Sequence, residues 1–167
     1  RKIVHVIGTG TIGEPLIGLL CDFKNELGID EITFHKNTPL TTDRSKVVSL
    51  SKRGARLSTH EEKFQGFKDI GLNPEFSTEL AIERASVVID CTPSSYGIQN
   101  KEKYYNKFSK DTLGFISQGS EFGFGKPYAR GINDKALVRG EDQFIQVVSC
   151  NTHNLSTIVQ TLALDES

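Results

Sequence analysis

Ile3-Val4-His5-Val6-Ile7-Gly8-Thr9-Gly10-Thr11-Ile12-Gly13 decides the fold class of this chain. The first five residues are nearly all apolar, as in a strand buried on both faces of a parallel sheet. Three glycines follow at the spacing G-x-G-x-x-G. A helix is predicted next over Pro15–Leu27, with Pro15 tolerated in its first turn and Gly28 near its end. Leu16, Leu19, Leu20, Phe23 and Leu27 carry its helical periodicity. A second strand, Glu31–His35, follows, so the second strand comes about 20 residues after the glycines. In that context each glycine has a task. Gly8 makes a tight turn, Gly10 lets a pyrophosphate approach the backbone, and Gly13 lets the helix pack close to the strand. Thr11 and Ile12 open the helix N-terminus on which the phosphates would rest.

Alternation continues outward from this unit. Helices are expected near Ser45–Lys52, Glu61–Ile70, Thr78–Arg84 and Ile98–Phe108, and strands at Ala55–Ser58, Val87–Cys91, Leu113–Ser117 and Phe144–Ser149. A Gly-rich loop is expected from Gln118 to Gly131. The class is α/β, Rossmann-like and doubly wound, with a mostly parallel sheet flanked by helices. Residues 1–149 form its dinucleotide-binding domain.

The strand ends refine the ligand. A site selective for NAD usually places Asp or Glu at the end of the second strand, against the ribose 2′-hydroxyl. Here that end reads His35-Lys36-Asn37-Thr38. Lys36 with two short polar groups suits a 2′-phosphate, so NADP or NAD is expected, with NADP accepted and preferred; a solvated surface lysine is the alternative. Thr92 and Pro93, after Val87–Cys91, are placed to touch the nicotinamide ribose. Cys91 and Cys21 read as packing residues.

The stretch Gln146-Val147-Val148-Ser149-Cys150-Asn151-Thr152 carries the second signal. An apolar strand ends at Cys150, and Asn151 and Thr152 are good N-cap residues. Leu155, Ile158, Val159 and Leu162 then recur on one helical face. A cysteine at a helix N-terminus feels a field that favours thiolate, which makes Cys150 a candidate nucleophile; a buried cysteine ending a core strand is the alternative.

Composition narrows the class. With a net charge of −1 the chain offers no bulk field for nucleic acid or anionic membrane. No apolar run approaches the ~20 residues of a membrane span. Three scattered cysteines show no metal spacing and point to a reducing cytoplasm. The chain has no methionine and opens directly on a strand. Either it is a segment of a longer protein, or methionines have been dropped from the sequence.

Four segments together resemble the archaeal-type (class II) glyceraldehyde-3-phosphate dehydrogenases: Gly8–Gly13; Cys91-Thr92-Pro93 with Gly97-Ile98-Gln99-Asn100-Lys101; Gln118-Gly119-Ser120-Glu121; and Val147–Thr152. The resemblance implies phosphorylating oxidation of glyceraldehyde 3-phosphate by a cytoplasmic homotetramer, with the aldehyde and inorganic phosphate as small-molecule partners. It implies Cys150 as the nucleophile, Asn151 and Thr152 at the reacting oxygen or phosphate, and Gln118 and Gly119 near the nicotinamide. It also implies that 150–167 is the first helix of a catalytic domain otherwise outside this chain, whose histidine is the general base, so the 167 residues alone would be inactive. His153 and Asn154 replace the Thr and Gly that usually continue the family's cysteine motif. Two other readings remain: a semialdehyde dehydrogenase of the aspartate-semialdehyde type, and a non-catalytic module that binds NAD(P) and senses redox state.

Overall fold

The computed structural model describes residues 1–119 and 121–164, the side chain of Leu164 excepted. Ser120, in the third motif above, and 165–167, in the expected last helix, lie outside them. In chain order the elements are β1 (Ile3–Ile7), α1 (Gly13–Asp22), β2 (Glu31–His35), α2 (Arg44–Lys52), β3 (Ala55–Thr59), α3 (Phe64–Asp69), β4 (Phe76–Ser77) and α4 (Thr78–Glu83). Then come β5 (Val87–Asp90), α5 (Tyr96–Asn100), α6 (Asn106–Phe108), β6 (Gly114–Gln118), β7 (Lys126–Tyr128), β8 (Phe144–Val147) and α7 (Cys150–Val159).

The eight strands form one sheet, in the order β4-β3-β2-β1-β5-β6-β8-β7, and every pairing is parallel. It is a Rossmann-like α/β sheet flanked by helices. The chain first winds outward from β1 through β2, β3 and β4, then returns to pair β5 against the other side of β1. The order reverses there, and ligands of open parallel sheets bind in the crevice that this reversal opens at the strands' carboxyl ends.

Pleating divides the core between two faces. Val4 and Val6 join Ile17, Val47, Leu50 and Phe67 of α1–α3 on one side. Ile7 and Val88 join Ile82, Tyr104, Tyr105 and Phe124 on the other. Both faces of β1 are covered, which is why its sequence shows no polar alternation.

Three expectations need correction. The first helix begins at Gly13 and ends at Asp22; irregular turns then lead to Gly28, which has φ +62°. Its buried face is Gly13, Ile17 and Gly18, whereas Leu19, Phe23 and Leu27 are exposed. Ile17 anchors the helix in the core with Leu16 and Leu20 packed beside it. Gly13 lies against the Gly8 carbonyl and Gly18 against the Arg53 guanidinium, so only part of the expected leucine stripe faces inward. The loop from Gln118 to Gly131 holds a strand, β7, which pairs with β8 at the sheet edge.

Candidate functional site

The three glycines of the first turn divide into two that sterics demand and one that faces open space. Gly8 has φ +96°, and a Cβ there would lie 2.9 Å from the carbonyl oxygen of Cys91. A Cβ on Gly13 would lie 1.9 Å from the carbonyl oxygen of Gly8. Turn, helix and β5 are therefore in backbone contact. Gly10 has nothing within 4 Å of where its Cβ would be. No side chain caps the start of α1; the Glu14 N–H donates to the Gly10 carbonyl at 3.1 Å, and Pro15 has no N–H.

Around this turn lies a cleft of about 860 Å³. Of the residues singled out from sequence, it brings together Gly8, Gly10, Thr11, Ile12, Lys36, Thr92, Pro93 and Gln118. Gly13 is not in the lining, because it stands behind the turn as a packing residue. Gly119 is not in it either. Its φ of +78° turns the chain after β6, its N–H donates to the Val147 carbonyl at 2.9 Å, and its own carbonyl accepts from Gln146 Nε2. Gln118 reaches across, with Nε2 3.5 Å from the Thr92 carbonyl.

Two buried carboxylates that sequence reading passed over hold the cleft wall. Asp90 accepts from the Thr92 N–H at 2.9 Å, the Thr92 hydroxyl, Asn100 Nδ2 at 2.9 Å and the Tyr105 hydroxyl. That network fixes Thr92 and Asn100, which both line the cleft. Burial with Asp90 as neighbour keeps the Tyr105 hydroxyl protonated well above its ordinary range. Glu121 accepts from the N–H groups of Ser95 and Ile98, so a remote carboxylate caps α5. Ser95 is the one non-glycine residue at positive φ among those described, at +74°. This clamp sets the course of the chain after Pro93.

At the β2 end, His35 and His60 also line the cleft, their rings 5.0 Å apart. The Thr78 hydroxyl lies between them, 3.3 Å from His35 Nδ1 and 3.1 Å from His60 Nδ1. Burial, with His5, His60, Lys63 and Lys36 nearby, lowers His35 to about 3, so it adds no positive charge at neutral pH. Lys36 is already paired: its Nζ lies 2.6 Å from Asp43 Oδ2. The lone cation inferred from sequence therefore has an internal counter-ion.

Ser149, not Asn151 or Thr152, caps α7, its Oγ accepting from the Thr152 N–H at 3.3 Å. Cys150 is thus the first helical residue. It is exposed, with Sγ 4.0 Å from Asn151 Oδ1. Cys150, Asn151 and Thr152 do not line the cleft. They follow β8, whose Val147 stands in register with Gln118, so the cysteine lies one strand beyond the cleft's Gln118 edge. His153 Nε2 donates to the Arg130 carbonyl at 3.0 Å, tying the helix start to the loop after β7. Cys91 is buried and its thiol pushed up to about 12 by that burial and by Asp90. Cys21 is half-buried against the α1–α3 core, which raises its thiol too.

Strand order and glycine turn define a Rossmann-like α/β domain. Over nearly all its length the chain is a relative of archaeal-type glyceraldehyde-3-phosphate dehydrogenases. It is 29% identical to the glyceraldehyde-3-phosphate dehydrogenase of Pyrobaculum islandicum over 168 aligned positions, covering 97% of this chain and 44% of that protein. The same-named protein of Sulfolobus acidocaldarius is 28% identical, covering 95% of this chain and 43% of that one. That of Methanobrevibacter smithii is 29% identical, with 96% and 45% covered. The chain thus spans less than half the length of these curated relatives. No family model matches it.

Proposed function

We propose that this chain is the cofactor-binding part of a dehydrogenase that oxidises glyceraldehyde 3-phosphate through a thioester on Cys150. The carrying observation is the pairing of an open Gly10 turn at the sheet's reversal point with an exposed cysteine opening α7, in a relative of enzymes bearing that name. A nicotinamide dinucleotide, NADP or NAD with NADP accepted, fits the cleft: the unhindered Gly10 backbone, beside the positive end of the α1 dipole, suits a pyrophosphate. Thr11 and Ile12 would hold the phosphates, Lys36 the adenosine end, and Thr92, Pro93 and Gln118 the nicotinamide end, with Gly119 turning the chain behind Gln118. When bound, the nicotinamide supplies the hydride acceptor.

The chain's own chemistry lies at α7. The Cys150 sulfur attacks the aldehyde carbon, giving a thiohemiacetal. Amide N–H groups at the helix start, with Asn151 and Thr152, stabilise its oxygen. Once hydride has left the carbon and the hydroxyl proton has passed to the general base, a thioester remains. Inorganic phosphate attacks its acyl carbon, the C–S bond breaks, and an acyl phosphate leaves with the Cys150 thiolate restored. Residues 1–149 act as the dinucleotide domain, and 150–167 open a catalytic domain that supplies the general base. The apolar face of α7 supports that division: Leu155, Ile158, Val159 and Leu162 are 52–81% exposed, more than a helix packed on its own domain leaves bare. The active form in this reading is a cytoplasmic homotetramer, and the 167 residues alone do not turn over.

Phosphate-dependent formation of NAD(P)H from glyceraldehyde 3-phosphate by the full-length protein tests the proposal. A well-folded full-length protein with no such activity would refute it.

A further inference from the structure

Lys36 is the cation at the end of β2, and it is largely enclosed: its side chain is 11% exposed and that of Asp43 28%. The lysine is fixed at both ends. Its backbone N–H donates to the Ser58 carbonyl and its carbonyl accepts from the Thr59 hydroxyl. Asp43 occupies the N-cap position of α2, where aspartate ordinarily bonds a backbone N–H of the first turn. It makes no such bond; its carboxylate turns instead to Lys36 Nζ. That partner holds the Asp43 carboxyl below its ordinary range. Of the other cations nearby, Lys46 pairs with Glu14, Lys63 donates to the neutral Asn37 Oδ1, and Lys103, also in the cleft lining, lies over the Tyr104 ring, so Lys36 is the largely enclosed one whose charge is met by a carboxylate.

We propose that Asp43 is an internal stand-in for a ribose 2′-phosphate and sets how strongly the cleft separates the two nicotinamide dinucleotides. With a free 2′-hydroxyl, Lys36 keeps Asp43 as its counter-ion. With a 2′-phosphate, the phosphate must share or take Lys36 against a carboxylate of like charge. The site accepts both forms, and the carboxylate suppresses the preference for the phosphorylated one that Lys36 alone would create. The proposal rests on the reading of the cleft as a dinucleotide site.

Calorimetric titration of the full chain with NADP⁺ and with NAD⁺ tests it. Asp43→Asn keeps the side-chain shape and removes its charge. It is expected to tighten NADP⁺ binding about tenfold, or about 1.4 kcal/mol, and to change NAD⁺ binding less than twofold. In a Lys36→Gln background the same Asp43→Asn change should no longer move NADP⁺ affinity. If both dinucleotides bind and their affinity ratio is unmoved by Asp43→Asn, the proposal is overturned while the dinucleotide reading stands. If neither binds the unaltered chain, that reading falls and the role of Asp43 falls with it.

Discussion

The glycine turn after β1 and the start of α7 are built in opposite ways. In the first, backbone presses on backbone: Gly13 against Gly8, and Gly8 against Cys91, with only Gly10 facing open space. Its contacts lie within the chain, and the cleft it borders is walled by carboxylates with their hydrogen bonds satisfied. In the second, a single serine caps a helix whose cysteine and apolar stripe are both exposed. One region is held by contacts within the chain, and the other presents an exposed cysteine and apolar stripe outside the cleft. Cofactor binding should therefore depend on packing around the turn, while loss of the Cys150 thiol should leave the stability of the fold nearly unchanged.

Substitutions at the turn should break that contrast most severely. Gly13→Ala drives a methyl into the Gly8 carbonyl and should destabilise the domain by about 3 kcal/mol or more, read as a fall in the urea midpoint. Unchanged unfolding would mean the close approach is absent.

Acid should act next, and on the same half of the molecule. His5 and His35 titrate near 6.5 when unfolded, but burial lowers both to about 3 in the fold. His5 Nε2 has no hydrogen-bond partner to receive a proton's charge. Between those values the unfolded chain binds more protons, so stability present above pH 6.5 is lost as pH falls toward 3. Each imidazole should contribute about 1.4 kcal/mol per pH unit within that window. Denaturant unfolding that is flat from pH 6.5 to 5 would contradict the burial of both.

Gly10→Ala sharpens the comparison, because it tests the open member of the same motif. Its stability should stay within about 0.5 kcal/mol of the parent. Its affinity for NAD⁺, measured by titration calorimetry, should fall about tenfold, as a methyl meets the phosphates. The smallest effect is expected at α7. Cys150→Ser should leave both the unfolding midpoint and dinucleotide affinity unchanged, yet remove aldehyde oxidation from the full-length protein.

These two regions also differ in how far the sequence discloses them. The strands and the tasks of Gly8 and Gly13 were legible because they follow from local sterics and from burial on both faces. The buried side of α1 was legible in part: Leu16 and Leu20 of the expected stripe pack on the core beside Ile17, while Leu19, Phe23 and Leu27 of the same stripe are exposed and the glycine contacts carry no apolar signal. β4 and β7 span two and three residues, too few for alternation to register. Asp90, Glu121 and the Lys36–Asp43 pair escaped notice because a carboxylate's meaning lies in its partners. Those of Glu121 are 23 and 26 residues away. At Lys36 the charge was read correctly and its availability was not.

In the proposed function, the cleft at the sheet's reversal point takes a nicotinamide dinucleotide whose reactive end approaches Cys150. Amide chemical shifts recorded while the chain is titrated with NADP⁺ test it most directly. The largest shifts should fall on Gly10, Thr11, Ile12 and Thr92, with a further change running from Gln118 to Cys150. Shifts confined to the opposite, amino-terminal edge of the sheet, or a glycine turn that does not respond at saturating nucleotide, would contradict it.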